Sequence, residues 1–178
     1  MGSTLLGVGL PNRQRAPELF VSEWFNTNTP IALIDLRGQV VVLHAFQMLC
    51  PGCVLHGTPL AQRIHERFAI EGVTVIGLHT VFEHHDAMGP VSLAAFLHEF
   101  RVTMPVGVDA HEHGNPIPVT MAAYGMQGTP TLVIIDRDGY IRHRYFGQVD
   151  ELTVGLRIGQ LLAQDPEPAT ASNDKSRA

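Results

Sequence analysis

The feature that most constrains this chain is a pair of cysteines, three positions apart, that directly follows an apolar run. Cys50 and Cys53 enclose Pro51 and Gly52, and the sequence of 178 residues holds two cysteines in all. Two cysteines cannot build the disulfide framework of a small secreted domain or complete a four-cysteine zinc site. Such a pair near a strand–helix pattern is typical of a redox dithiol, with an inert structural disulfide as the alternative.

The segments around the cysteines predict a strand, a helix and a second strand. Residues 40–46 are apolar and β-branched without a breaker, which predicts a strand buried on both faces. Apolar residues then recur at helical spacing up to Ile70, which predicts a helix. Pro59 is expected to kink this helix, and Gly72 is expected to end it. A second buried strand over 73–78 implies a right-handed parallel crossover.

The rest of the chain continues this alternation. Ser92 or Asp86 is expected to cap the next helix, and Asp138-Gly139 supplies the positive φ values of a hairpin turn. The predicted elements are a helix over 91–100, a strand over 105–108, a short helix over 119–124, strands over 131–136 and 140–146, and a helix over 151–162.

Length and composition fit one domain. The chain is 45% hydrophobic and 16% charged, with a formal net charge of -5 and no basic patch, which argues against a nucleic-acid binder. We predict an extended lead-in over 1–15, one folded domain over 16–163, and a disordered polar tail over 164–178.

The first residues bear on location. The apolar run from Leu5 to Leu10 follows no positive charge, precedes no cleavage site and is too short to span a bilayer. We therefore predict no membrane span and a cytoplasmic location, or a periplasmic one if a leader has been removed. We also expect a monomer or weak dimer.

Three segments carry a resemblance to a known family: residues 41–46 before the dithiol, 124–131 with Thr129-Pro130, and 134–141 around the hairpin turn. In this order they resemble the thioredoxin superfamily, and within it the redoxin or TlpA/ResA-like thioredoxins. The resemblance spans about 16–162. It implies an α/β thioredoxin fold, with a central mixed sheet flanked by helices, and a thiol–disulfide oxidoreductase without a cofactor.

The start of a helix gives the two cysteines different roles. A free thiol has a pKa of about 8.5, and the unpaired N–H groups of a helix N-terminus favour its thiolate. We expect an exposed Cys50 to attack a partner disulfide and a partly buried Cys53 to resolve the mixed disulfide. The expected partners are disulfides of proteins, peptides or small molecules, and a dithiol reductant or oxidant; the direction of electron flow stays open.

Five further residues are candidates for substrate binding. Pro51 fits the first helical turn. Pro130 resembles the family's cis-proline, which would leave the Thr129 backbone free to pair with an extended substrate; a trans-proline that opens a strand is the alternative. Met48 and Leu49 are expected to make the mouth of the site apolar, with a plain surface loop as the alternative.

His44 is a third candidate catalytic residue. It falls where thioredoxin has a buried aspartate behind the cysteines. Because imidazole titrates near neutrality, His44 is able to take the proton of Cys53 during resolution. A satisfied core histidine on a strand is the equally open alternative.

Ten histidines raise the question of a metal site. Residues 111–113 place two of them around a glutamate in a loop, and residues 84–85 follow the second strand with His79 nearby. The chain has no His-Glu-x-x-His pattern. A solvated polar loop is therefore favoured, and we predict no metal.

A thiol peroxidase of the peroxiredoxin type is the competing function. That class has a Pro-x-x-x-Thr-x-x-Cys pattern, and alignment on Cys53 puts Cys50 at the threonine and Phe46 at the proline. The hydroxyl that would orient a peroxide is thus missing. A non-enzymatic binding module is a third reading, disfavoured by the presence of both cysteines.

Overall fold

A mixed seven-stranded sheet forms the centre of the protein. The computed structural model describes residues 14–164, so nearly all of the predicted lead-in and tail lies outside the described residues. The strands are β1 (Gln14–Arg15), β2 (Val21–Phe25), β3 (Val40–Phe46), β4 (Val73–His79), β5 (Val106–Asp109), β6 (Thr131–Ile135) and β7 (Tyr140–Phe146). Their order is β1-β7-β6-β3-β4-β5-β2. Strands β3, β4 and β5 are parallel, and the other pairs are antiparallel.

Helices cover both faces of the sheet. They are α1 (Thr58–Phe68), α2 (Pro90–Glu99), α3 (Val119–Ala123) and α4 (Glu151–Leu162), with short 3₁₀ turns at Leu33–Leu36, Ala69–Glu71 and His85–Ala87. Helices α1, α2 and α4 bury their apolar residues on one face, while α3 and the segments over 16–19 and 31–36 cover the other. Within residues 14–164, every helix falls short of the length and apolarity that a bilayer crossing requires.

Strand β3 is buried on both faces, as its apolar sequence predicts. All seven of its residues are buried, and alternate side chains enter the two cores. Each fully buried valine or leucine contributes roughly 1.5–3 kcal/mol. The dithiol therefore follows one of the most firmly packed segments of the chain.

Pro59 shapes the start of α1 differently from the predicted kink. Residues Cys53–Gly57 form a π-helical turn, in which the N–H of Thr58 donates to the carbonyl of Cys53, five residues back. Pro59 then lies in the first turn of α1, where proline is tolerated. The wider turn thus absorbs the proline, and Gly72, at φ +85°, ends the helical stretch as predicted.

The cap predicted for α2 is wrong. The N-cap residue is Gly89, without a side-chain hydrogen bond, instead of Ser92 or Asp86. Pro90 follows at the first helical position, because its fixed φ suits a helix start. The final helix is confirmed over Glu151–Leu162, where the carboxylate of Asp150 caps it by accepting from the N–H of Thr153 at 2.8 Å.

Candidate active site

The dithiol begins one turn after the end of β3. The N–H of Cys50 donates to the carbonyl of Gln47 at 3.1 Å, which closes this turn. Both cysteines are free thiols, and Cys50 is half-buried whereas Cys53 is fully buried. The N–H of Cys53 donates to the Cys50 sulfur at 3.3 Å. The first helical turn therefore directs a hydrogen-bond donor at the more accessible sulfur.

Cys53 is held in its protonated form. Burial, and next the hydrogen bond with Cys50, raise the pKa of the Cys53 thiol well above its ordinary value. At neutral pH the buried sulfur is therefore a thiol, and it needs a change in its surroundings before it acts as a nucleophile. The two sulfurs differ in access in the order that the sequence predicts.

Pro130 packs directly on the dithiol. The Thr129–Pro130 peptide bond is cis, as the resemblance implied. The Cys50 thiol donates to the carbonyl of Thr129 at 3.5 Å, and a β-carbon at Gly52 would lie 3.3 Å from Cδ of Pro130. The small residue at position 52 therefore lets the proline loop approach the cysteines closely.

An open groove of about 480 Å³ lies beside Cys50. Its lining includes Pro51 and Thr129, and Leu49 is 55% exposed next to them. The prediction that Met48 lines the mouth of the site is wrong. Its side chain is 7% exposed and belongs to the core, because the turn after β3 directs it inward. The apolar mouth therefore comes from Leu49 and not from Met48.

His44 lies behind the π-helical turn. Its Nε2 is 3.2 Å from Oγ1 of Thr58, and its ring stacks on Phe46 with centroids 5.4 Å apart. A β-carbon at Gly57 would lie 2.6 Å from Cε1 of His44. Among the described residues, the imidazole of His44 therefore contacts Thr58, Phe46 and Gly57, and it makes no hydrogen bond to Cys53.

The buried imidazole of His44 is neutral. Burial lowers its pKa to about 3, and its Nδ1 lacks a hydrogen-bond partner within the described part of the chain. Half of its hydrogen-bonding capacity is thus unused. His44 therefore differs from a fully satisfied core histidine, and it is also a weak base.

The turn that leads to Cys50 is tied to the end of β4. The N–H of Thr80 donates to the carbonyl of Phe46 at 3.0 Å, and the N–H of Met48 donates to Nε2 of His79 at 3.4 Å. Burial lowers the pKa of His79 to about 4, which keeps Nε2 free to accept. His79, considered above as a metal ligand, instead holds the backbone of the active-site turn.

Gln47 is a second anchor, which the sequence analysis missed. Its Oε1 accepts from the N–H of Phe82 at 3.1 Å, and its Nε2 donates to the carboxylate of Glu83 at 3.3 Å. Gln47 follows β3 directly, and His79 ends β4. The carboxyl ends of neighbouring parallel strands meet at one edge of a sheet. The positions of Gln47 and His79 at the ends of their strands were therefore the sequence signal that could have identified them as anchors.

The histidine-rich loops form no metal centre in the described residues. Across residues 14–164, no group of three or more histidine, cysteine or acidic side chains is placed to hold an ion. The rings of His85 and His111 are in contact, with centroids 5.3 Å apart. Nε2 of His111 lies 2.7 Å from the carbonyl of Val81, which occupies that nitrogen.

A dithiol at a helix start, faced by a cis-proline at the edge of this mixed sheet, defines a protein of the thioredoxin fold. Comparison with known families narrows the class. The chain belongs to the AhpC/TSA family, whose model matches residues 13–144.

Solved structures and curated relatives agree with this placement. A thioredoxin-like superfamily protein is 54% identical with a TM-score of 0.84, covering 86% of this chain and 99% of that chain. A thiol-disulfide isomerase from Corynebacterium glutamicum is 50% identical with a TM-score of 0.80, covering 84% of this chain and 98% of that chain. Protein DipZ of Mycobacterium tuberculosis is 29% identical over 86% of this chain, which spans only 21% of DipZ. These relatives give no support to the predicted cytoplasmic location.

Proposed function

We propose that this protein is a thiol–disulfide oxidoreductase that exchanges disulfides with protein partners through Cys50 and Cys53. One observation carries the proposal: the Cys50 sulfur lies in an open groove and accepts the N–H of Cys53 at 3.3 Å, while the Cys53 sulfur is buried behind it. A donor aimed at the accessible sulfur suits a thiolate nucleophile. The similarity to a thiol-disulfide isomerase at 50% identity supports the same chemistry.

The reaction proceeds in two exchanges. The Cys50 thiolate attacks one sulfur of a partner disulfide, that S–S bond breaks, and the released partner thiolate takes up a proton. Cys53 then loses its proton and attacks the Cys50 sulfur, which forms the Cys50–Cys53 disulfide and releases the second partner thiol. The protein dithiol is oxidised by two electrons and the partner disulfide is reduced; the reverse direction uses the same steps.

Formation of the mixed disulfide prepares Cys53 for its step. The hydrogen bond to Cys50 and the charge of Cys50 both raise the pKa of Cys53, after the larger effect of burial. Once the Cys50 sulfur is bonded to the partner, it carries no charge and no proton. The first exchange therefore removes two of the influences that hold the proton on Cys53.

His44 keeps the role of proton acceptor as a proposal. Its neutral, half-unpaired imidazole lies behind the dithiol helix, which supports the role. Its pKa of about 3 makes it a weak base, so a proton taken from Cys53 must pass on to solvent quickly. The cavity that His44 lines together with Gly57 and Pro130 offers a route for that transfer.

Thr129, Pro51 and Leu49 are the proposed substrate contacts. All three border the groove beside Cys50. An extended partner segment placed along Thr129 would bring its cystine to the accessible sulfur, with Leu49 against an apolar side chain. Pro130 contributes by fixing the backbone that carries Thr129.

An assay with two oxidants separates this function from the peroxidase alternative. Purified protein is supplied with one dithiol reductant and either insulin, as a protein disulfide, or hydrogen peroxide. We expect insulin reduction well above the rate of the reductant alone, its loss in Cys50→Ser, and peroxide consumption at background. Rapid peroxide consumption with unaccelerated insulin reduction would contradict the proposal.

A further inference from the structure

One carboxylate stands among apolar side chains in the groove beside Cys50. Among the described residues that line it, Glu83 is the only acidic side chain, and arginine and lysine are absent from the lining. The walls around it include Phe82 and Phe146, the latter 59% exposed. A partner segment bound here therefore meets apolar surface, the imidazole of His84 and one carboxylate.

A buried amide holds this carboxylate. Gln47 is 1% exposed, and its Nε2 donates to Glu83 at 3.3 Å while its Oε1 accepts the N–H of Phe82 at 3.1 Å. Gln47 also lies three residues before Cys50, in the turn that positions the reactive sulfur. The charge and the nucleophile are thus fixed to the same short stretch of backbone.

Fixing an exposed carboxylate makes it a better partner for a cation. A free surface ion pair gains little, because two long side chains must be ordered to form it. Here the hydrogen bond from Gln47 has already ordered one of the two.

We propose that this groove selects protein disulfides with a lysine or arginine close to the reacting cysteine, and that Glu83 makes the selection. The inference rests on the proposed function, since it names the substrate class of the same site. The preferred segment is extended, with an apolar side chain against Leu49 and Phe146 and a cation at Glu83. A segment with an acidic residue in the cation's place is disfavoured by repulsion.

Disulfide-bonded peptides that differ in one residue test the proposal. Each peptide carries Lys, Gln or Glu at one position, chosen from the two residues before and the two residues after its cysteine. The rate at which Cys50 attacks the peptide disulfide is measured. For the best position we expect the Lys peptide to react about fivefold faster than the Glu peptide, as a partly ordered surface pair implies. We expect that ratio to fall near one in Glu83→Gln, and in wild type at about 1 M salt, where the Debye length is about 3 Å.

Asp86→Asn is the matched control. Asp86 lies in the same loop as Glu83 but outside the groove lining, so this variant should keep the wild-type ratio. Equal rates for Lys and Glu peptides in wild type, or an unchanged ratio in Glu83→Gln, would overturn the inference. Hydroxyethyl disulfide, which is small and uncharged, is run beside the peptides: failure to react with it and with every peptide would overturn the proposed function and the inference together.

Discussion

Gly57 leaves the space that the imidazole of His44 occupies. A β-carbon at Gly57 would lie 2.6 Å from Cε1 of His44 and 3.0 Å from Cβ of Pro130. The π-helical turn, the buried strand β3 and the proline loop therefore meet at one backbone position. Packing at Gly57 links the dithiol helix to the two features that surround the cysteines.

Replacing Gly57 with alanine should destabilise the protein. An added methyl group in a filled site typically costs about 1–3 kcal/mol, because buried side chains must shift. Urea unfolding of the reduced protein measures the loss. Gly155→Ala in α4 is the control: a β-carbon there meets nothing within 4 Å, and alanine should stabilise the helix by about 0.5–1 kcal/mol. Equal stability of Gly57→Ala and wild type would contradict the packing described here.

Much of the fold was predictable because its elements rest on local patterns. The unbroken apolar run of β3 and the Asp138-Gly139 turn each signal their structure within a few residues, although Gly139 and not Asp138 has the positive φ. The dithiol and Pro130 were found through sequence motifs. These features needed no knowledge of distant contacts.

The anchoring of the active-site turn was not predictable in the same way. His79 and Met48 meet only because β3 and β4 pair in one particular parallel register. The same turn directs Met48 into the core, although its sequence neighbour Leu49 is exposed. Side-chain direction in an irregular turn depends on such long-range contacts, which a single sequence does not reveal.

His44→Asn tests the proton-acceptor role. If His44 takes the proton of Cys53, the variant should release the second partner thiol more slowly near neutral pH and approach the wild-type rate at high pH, where hydroxide removes the proton. Stopped-flow measurement of thiol release across pH gives the profile. His98→Asn, at an exposed histidine of α2, serves as the control. If the pH profile of thiol release in His44→Asn matched that of wild type, the proton-acceptor role of His44 would be contradicted.

Two buried histidines predict that stability falls in mild acid. Burial lowers the pKa of His44 to about 3 and that of His79 to about 4, from 6.5 in each case. Between the folded pKa values and 6.5, the unfolded chain binds more protons than the folded protein. The contribution of the two histidines to the free energy of unfolding is therefore complete above pH 6.5 and is lost as the pH falls toward the folded pKa values. Each histidine should cost about 2 kcal/mol of unfolding free energy at about pH 5.

The variant His79→Gln isolates this effect for one site. Glutamine places its side-chain oxygen near the position of Nε2 and so keeps an acceptor for the N–H of Met48. It does not titrate, so its loss of stability between about pH 7.5 and about pH 5 should be smaller by about 2 kcal/mol than that of wild type. Urea titrations of both reduced proteins at the two pH values supply the comparison. An acid-induced loss as large as that of wild type would show that His79 is not buried in its neutral form.

Trapping a mixed disulfide tests the division of labour between the cysteines most directly. Cys53→Ser and Cys50→Ser are each incubated with a protein disulfide, and the products are resolved by mass spectrometry under non-reducing conditions. The account predicts a stable adduct on Cys50 in Cys53→Ser and no adduct in Cys50→Ser, whose remaining sulfur is buried. An adduct that forms on Cys53 as readily as on Cys50 would contradict it.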